Sequence, residues 1–243
     1  MTGDTLERTR ELESLALSLG ADLAGVADLG PLGGITTYPI ALLAPFTFGV
    51  SIAVRLSDAV MDGITPTDPT AVYARHYVTA NALLDQITFR LAGHIQRHGH
   101  RALPIHASQQ MGAKRWYGAI SHKAIARGAG LGWIGQNLLL ITPNYGPRVR
   151  LASVLTDMPL ASSGPLPRAC GGCHACLDAC PARAITGFAR GDYPESRELA
   201  LNTAACAQRL DFFEREASVG QHVCGVCVQV CPYGRKAVKS IQG

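Results

Sequence analysis

Cys170-Gly171-Gly172-Cys173-His174-Ala175-Cys176-Leu177-Asp178-Ala179-Cys180-Pro181 is the stretch on which the reading of this chain turns. Its spacing is C-x2-C-x2-C-x3-C with a proline directly after. Three thiols at two-residue gaps wrap a loop around one face of an iron–sulfur cube, and the fourth projects from the short helix that follows. A structural zinc site takes four ligands, usually as two separated pairs, and gives no reason for a third cysteine at the same gap or for a Cys-Pro ending.

The same chemistry returns further along as Cys206, Cys224, Cys227 and Cys231, with Pro232 after the last. This half is a variant of the first, because one cysteine stands well upstream of the other three. Eight thiolates are what two four-cysteine [4Fe–4S] clusters require, with none left over. In two-cluster ferredoxins the fourth cysteine of a run ligates the other cluster. Applied here as a hypothesis, that rule puts Cys170, Cys173, Cys176 and Cys231 on one cluster and Cys180, Cys206, Cys224 and Cys227 on the other. With eight cysteines at hand, His174 and His222 read as ordinary loop residues.

Upstream of these runs, Asp157–Arg168 carries Pro159, Ser162, Ser163, Gly164, Pro165 and Pro167, a linker composition. All eight cysteines follow it. The chain of 243 residues therefore divides into an α/β part, 1–160, and a cysteine-bearing part, 161–243, which has too little apolar material to fold well without a metal scaffold. In the first part, Thr5–Leu19 has a helical period with Asp4 as N-cap and Gly20 past its end. Leu23–Leu29, Phe46–Leu56 and Ala102–Ala107 read as strands. A long helix runs from Asp68-Pro69, as cap and first turn, to Gly99, and Ser121–Arg127 is a short one. Asn137–Thr142 and Arg148–Thr156, joined by Pro143-Asn144-Tyr145-Gly146, predict a β-hairpin.

Composition narrows the class. With 47% apolar and 16% charged residues, the chain has ample core material, which excludes disorder and a coiled coil. Asp4, Glu7, Arg8, Arg10, Glu11 and Glu13 stand where a signal peptide needs an apolar run, and Tyr38–Val54, broken by two prolines, is short for a bilayer. The expectation is a cytoplasmic protein with no membrane partner, and in that compartment cysteines argue for metal ligation over disulfides. The net charge of +4 is uneven: Gln86–Thr156 holds nine Lys and Arg and no Asp or Glu, leaving −5 for the rest. Such a block suits an anionic ligand or substrate, whether a corrinoid tail, a phosphate-bearing molecule or RNA.

Ala126-Arg127-Gly128-Ala129-Gly130-Leu131-Gly132-Trp133-Ile134-Gly135-Gln136-Asn137, with Leu139–Thr142, Tyr145-Gly146-Pro147 and Leu155–Leu160, resembles the epoxyqueuosine reductase and reductive dehalogenase superfamily. The cysteine spacing resembles it too, including the displaced Cys206. The resemblance implies an α+β fold in which a nitroreductase-like α/β domain is followed by a bacterial-ferredoxin-like domain with two [4Fe–4S] clusters. It also implies a cobalamin that reduces the substrate, an external electron donor such as ferredoxin or flavodoxin, and tRNA as a partner of some members. Gly130, Gly132, Trp133, Gly135 and Asn137 become candidate corrinoid contacts. Read on their own, the glycines fit either close approach of a ligand or a plain turn, and Trp133 fits either ligand or core.

The chain also departs from that pattern. Epoxyqueuosine reductases carry a carboxylate general acid shortly before the Gly-Leu-Gly-Trp segment, and no Asp or Glu stands between Gln86 and Thr156. His106 occupies roughly that place. Reductive dehalogenases use a tyrosine with a basic neighbour, residue types that Lys114-Arg115-Trp116-Tyr117 supplies. Candidate proton donors are thus His106 and Tyr117, with His122 and Lys114 behind them. The reading is an iron–sulfur oxidoreductase acting through a corrinoid on an unidentified substrate. A corrinoid-free electron-transfer or reductive-activation protein is the alternative, and 6% aromatic residues weigh against a nucleic-acid module whose clusters are only structural.

Overall fold

The computed structural model describes residues 3–32, 34–111, 117–167, 169–188, 193–194 and 196–238. The chain opens with α1 (Gly3–Ser18), which turns its Thr9, Leu12 and Ala16 inward. Asp4 lies inside its first turn and pairs with Arg8 at 2.6 Å, so it does not act as the expected cap. Strand β1 (Leu23–Asp28) and β2 (Phe48–Arg55) follow, and then the short α2 (Asp58–Asp62). Helix α3 (Ala71–Arg97) is the longest element. Its start is two residues later than expected: the Asp68 carboxylate accepts from the Thr70 N–H, and the Thr70 hydroxyl oxygen accepts from the Tyr73 N–H, making Thr70 the capping side chain. Next come β3 (Ala102–Ile105) and α4 (His122–Gly128), the latter capped by the Ser121 hydroxyl oxygen, which accepts from the Ala124 N–H.

The main sheet has the order β1-β2-β6-β3, where β6 is Val149–Thr156. β1 pairs antiparallel with β2 from Leu23↔Ala53 to Asp28↔Phe48, and β3 pairs antiparallel with β6 from Ala102↔Thr156 to Ile105↔Ser153. The order follows from composition. β2 and β6 are runs of small and β-branched residues buried on both faces, which suits inner strands, whereas Pro104 inside β3 lacks an N–H and suits an edge.

The expected hairpin between Asn137–Thr142 and Arg148–Thr156 does not form. A two-stranded ribbon forms instead between β4 (Trp133–Ile134) and β5 (Leu140–Ile141), with Trp133↔Ile141 and Ile134↔Leu140 in register. The Pro143–Gly146 turn closes on itself through a Thr142↔Gly146 bridge, and the second run goes to the centre of the large sheet. After residue 157 the helices are short, namely α5 (Ala175–Asp178), α6 (Thr203–Arg215) and α7 (Val226–Gln229).

Contacts divide the chain into two units, one of residues 1–55, 80–131 and 150–166, the other of 56–79, 132–149 and 167–243. The division expected at 160/161 therefore falls near 166/167, and two upstream segments join the cysteine-bearing unit. The core of the first unit is built from Leu12, Val26, Ile52, Leu84, Ile87, Leu91, Ile95, Ile125, Val154 and Leu155. The residues expected to be a linker are part of that unit: Met158, Leu160 and Ala161 are buried, and the Ala161 N–H donates to the Thr9 hydroxyl oxygen at 2.8 Å. Among the described residues no helix is long and apolar enough to cross a membrane.

Candidate metal centre

Each cysteine run is set by a tight turn and one turn of helix. The Cys173 N–H donates to the Cys170 carbonyl at 3.1 Å, Cys176 lies on α5, and Cys180 follows it. Cys224 precedes α7, Cys227 lies on it, and Cys231 follows it; Gly225 supplies the left-handed φ of +79° that starts this helix. Cys206 comes from α6, which Asn202 caps by accepting from the Ala205 N–H. None of the eight is in a disulfide.

Cys170, Cys173, Cys176 and Cys231 line a single cavity, walled also by Ile141 and Tyr233. Burial pushes the Cys176 thiol up to about 11, helped by the charges of Cys231, Cys170 and Cys173. Burial likewise raises Cys231, with Cys170 and Cys173 adding to it. In the second group, Cys227 is raised by burial and then by Cys224, Cys206, Cys176 and Cys180, and Cys224 by burial and Cys180. Thiols this close to one another cannot all ionise without a compensating cation. They have the donor chemistry of iron–sulfur ligation, since only metal charge makes four neighbouring thiolates favourable.

Backbone donors point the same way. The Ala184 N–H reaches the Cys180 sulfur at 3.3 Å, and backbone N–H groups of Val226, Tyr233 and Gly234 favour ionised Cys224 and Cys231. Such N–H···S bonds stabilise cluster sulfurs. Trp133, Ile141 and Cys231 form a buried cluster with Cys170 and Tyr233 packed against it, and the Trp133 indole N–H is buried without a partner among the described residues. The residues present thus fit two [4Fe–4S] clusters.

Several positioning residues carry no sequence motif. Arg148, 2% exposed, donates to Asp58 at 2.8 Å and to Asp62 at 2.6 Å. It lies under the turn after Cys231, where a Cβ on Gly234 would stand 2.9 Å from its Nε. Asn137 donates to the Cys227 carbonyl at 3.3 Å and accepts from the Leu139 N–H, which ties β5 to α7.

The three glycines among the candidate corrinoid residues lie where the chain's own backbone or side chains come close. A Cβ on Gly132 would stand 2.2 Å from the Ile141 carbonyl oxygen, one on Gly135 2.7 Å from the Ile141 side chain, and one on Gly130 2.8 Å from the Gly164 carbonyl oxygen. Trp133 and Asn137 are buried in the contacts just described. Gly135 and Asn137 also line the cavity of the first cysteine set, and 132–137 belong to the cysteine-bearing unit.

Among the proton-donor candidates, His106 is exposed just past β3, its Nδ1 3.5 Å from Asp85 Oδ1. Asp85 also accepts from the Ala107 N–H at 2.8 Å. A carboxylate thus stands beside His106, from the residue immediately before the acid-free block. Tyr117 is half-buried, and its carbonyl accepts from the Met111 N–H. Lys114, with Arg115 and Trp116, lies outside the described residues. His122 is removed as a donor: Nε2–H donates to the His106 carbonyl, so Nδ1 accepts from the Ser153 hydroxyl, and burial lowers its pKa to about 4. The basic block is also less free than its sequence implies, because Arg148 pairs with Asp58 and Asp62, and Arg101 and His100 face Asp157.

The 4Fe-4S double cluster binding domain family matches residues 169–234. The epoxyqueuosine reductase of Listeria monocytogenes is 36% identical over 122 residues, covering 49% of this chain and 31% of that protein. That of Gloeobacter violaceus is 37% identical over 124 residues, covering 49% of this chain and 38% of that protein. The chain thus spans roughly a third of the length of these relatives. In three dimensions it is similar to the catabolic reductive dehalogenase NpRdhA in complex with 3-bromo-4-hydroxybenzoic acid, with a TM-score of 0.76 at 21% identity, covering 97% of this chain and 33% of that one. It is also similar to an epoxyqueuosine reductase with a tRNA-Tyr epoxyqueuosine-modified stem loop, with a TM-score of 0.65 at 24% identity, covering 95% and 66%. At these identities the structural likeness speaks for the fold.

Fold and thiols together define an α+β protein with a double [4Fe–4S] cluster domain. Residues 169–234 carry the double-cluster domain, and the chain is similar in sequence to epoxyqueuosine reductases and in fold to these and to reductive dehalogenases.

Proposed function

We propose that this chain is an iron–sulfur oxidoreductase that takes single electrons from an external donor such as ferredoxin or flavodoxin and delivers them to an acceptor for a reductive step. The observation that carries the reading is the cavity that Cys170, Cys173, Cys176 and Cys231 line together within the double-cluster domain. The proposed ligand sets are Cys170, Cys173, Cys176 and Cys231, and Cys180, Cys206, Cys224 and Cys227. Bound there, two [4Fe–4S] clusters supply one-electron transfer at low potential. The chain's part is to hold the thiolates in place, direct backbone N–H groups at their sulfurs and shield them with Trp133, Ile141 and Tyr233.

A corrinoid acceptor is supported by likeness alone, to a reductive dehalogenase whose structure is described as suggesting a mechanism for B12-dependent dehalogenation. Of the five residues that the sequence offered for it, Gly135 and Asn137 line the cavity of the first cysteine set. For the proton that a reductive step consumes, His106 is the proposed source, being exposed and beside the Asp85 carboxylate. An epoxyqueuosine-bearing tRNA stem loop is the first substrate to try, because an epoxyqueuosine reductase of this fold binds one.

Protein purified anaerobically, then incubated with hydroxocobalamin and desalted, tests these points. About eight iron per chain is expected, and one retained cobalt would add the corrinoid. Iron without cobalt overturns the corrinoid acceptor, and zinc in place of iron overturns the whole reading. Unchanged turnover of the stem loop by His106→Ala removes that histidine as the proton source.

A further inference from the structure

Away from the cysteines, Glu11 on α1 and His94 and His98 on α3 bring one ligand atom each within 4.8 Å of one another. The Glu11 Oε1–His94 Nε2 separation is 3.3 Å. Two ligands at about 2.0–2.1 Å from a tetrahedral zinc ion stand about 3.3 Å apart, so that edge is already at bonding geometry. The two histidines are four residues apart on one helix face, with ring centroids 4.4 Å apart.

The hydrogen bonding around the group suits a metal. His98 Nδ1 lies 2.9 Å from the His94 carbonyl oxygen. A carbonyl can only accept, so Nδ1 carries the proton, and in the neutral ring Nε2 holds the lone pair. A metal-bound histidine is oriented in the same way, by donating its other N–H to a carbonyl. The Glu11 carboxylate supplies the negative charge, and two imidazoles with one carboxylate is a zinc-type donor set that leaves a fourth position for water.

We propose that Glu11, His94 and His98 form a surface zinc site that ties α1 to α3, distinct from the cysteine centre and independent of the redox reading above. All three residues lie in the first unit, and none is near a cysteine run in sequence. With three protein ligands and partial exposure, the site is an exchangeable one that stiffens the helix pair rather than a permanent structural zinc.

The test is equilibrium dialysis of the iron-loaded protein, under anaerobic conditions, against zinc chloride up to about 100 µM, with zinc and iron both measured by emission spectrometry. The expected result is one saturable zinc per chain with iron content unchanged, and a higher melting temperature when zinc is bound. Glu11→Gln and His98→Ala, both at exposed positions, are expected to weaken uptake at least about tenfold while keeping full iron content. Absence of saturable uptake, or uptake equally strong in both variants, overturns the site. Uptake accompanied by iron loss does so too, since the zinc would then be on the cysteines.

Discussion

His122 shows how a histidine inside a polar cluster is taken out of proton chemistry. Both its ring nitrogens are engaged, one donating to the His106 carbonyl and one accepting from Ser153, and burial holds its pKa at about 4. Unfolding restores a pKa near 6.5, so between about pH 6.5 and 4 the unfolded chain binds more protons than the folded one. Stability is therefore expected to fall as pH drops through that window. Urea unfolding of wild type and His122→Gln at pH 7 and pH 5 checks this, with the variant losing part of the acid sensitivity; an identical pH slope in both would contradict it. Asp85 makes the complementary point about what a sequence shows. The acid-free block begins one residue after it, and the linear chain gives no sign that the helix face carrying Asp85 returns to His106 and Ala107. Arg148 was hidden for the same reason, since its partners Asp58 and Asp62 lie about ninety positions away.

The ribbon of β4 and β5 shows what the Gly-Leu-Gly-Trp-Ile-Gly run does at the level of an element. Two-residue strands are too short to leave a period, so the sequence could offer the glycines only as turn or ligand contact. In the fold, Gly132 admits the Ile141 backbone at a distance no Cβ allows, and Ile141 then packs with Trp133 and Cys231. Gly132→Ala is expected to displace β5, at a cost of several kcal/mol as for other overpacked backbone contacts, and to lower iron retention. Iron content after desalting reads this directly; full retention would show that the ribbon does not support the cysteines. The long helix and the inner strands were legible because their apolar patterns run over many residues. The second arm of the predicted hairpin was read correctly as a strand but given the wrong partner, because periodicity specifies a face and not a neighbour.

At the scale of the molecule, the cysteine spacing carried further than anything else in the sequence, because ligand geometry constrains local chain length directly. The α+β class and the double-cluster domain were both legible from it and from the segments upstream. The discontinuous make-up of the second unit was not: residues 56–79 and 132–149 contain no cysteine, and they join the unit through packing such as Arg148 beneath Gly234 and Asn137 against the carbonyl of Cys227. The unit is thus larger than the metal-scaffolded appendage expected from composition. The centre proposed for it holds two clusters with crossed ligands. Low-temperature EPR of the dithionite-reduced protein, with iron counted alongside, compares wild type with Cys231→Ala and Cys206→Ala. The account predicts about eight iron and two interacting [4Fe–4S] signals in the wild type. It predicts loss of a different one of the two signals in each variant. Loss of the same signal in both variants, or a wild type holding four iron or fewer, would contradict it.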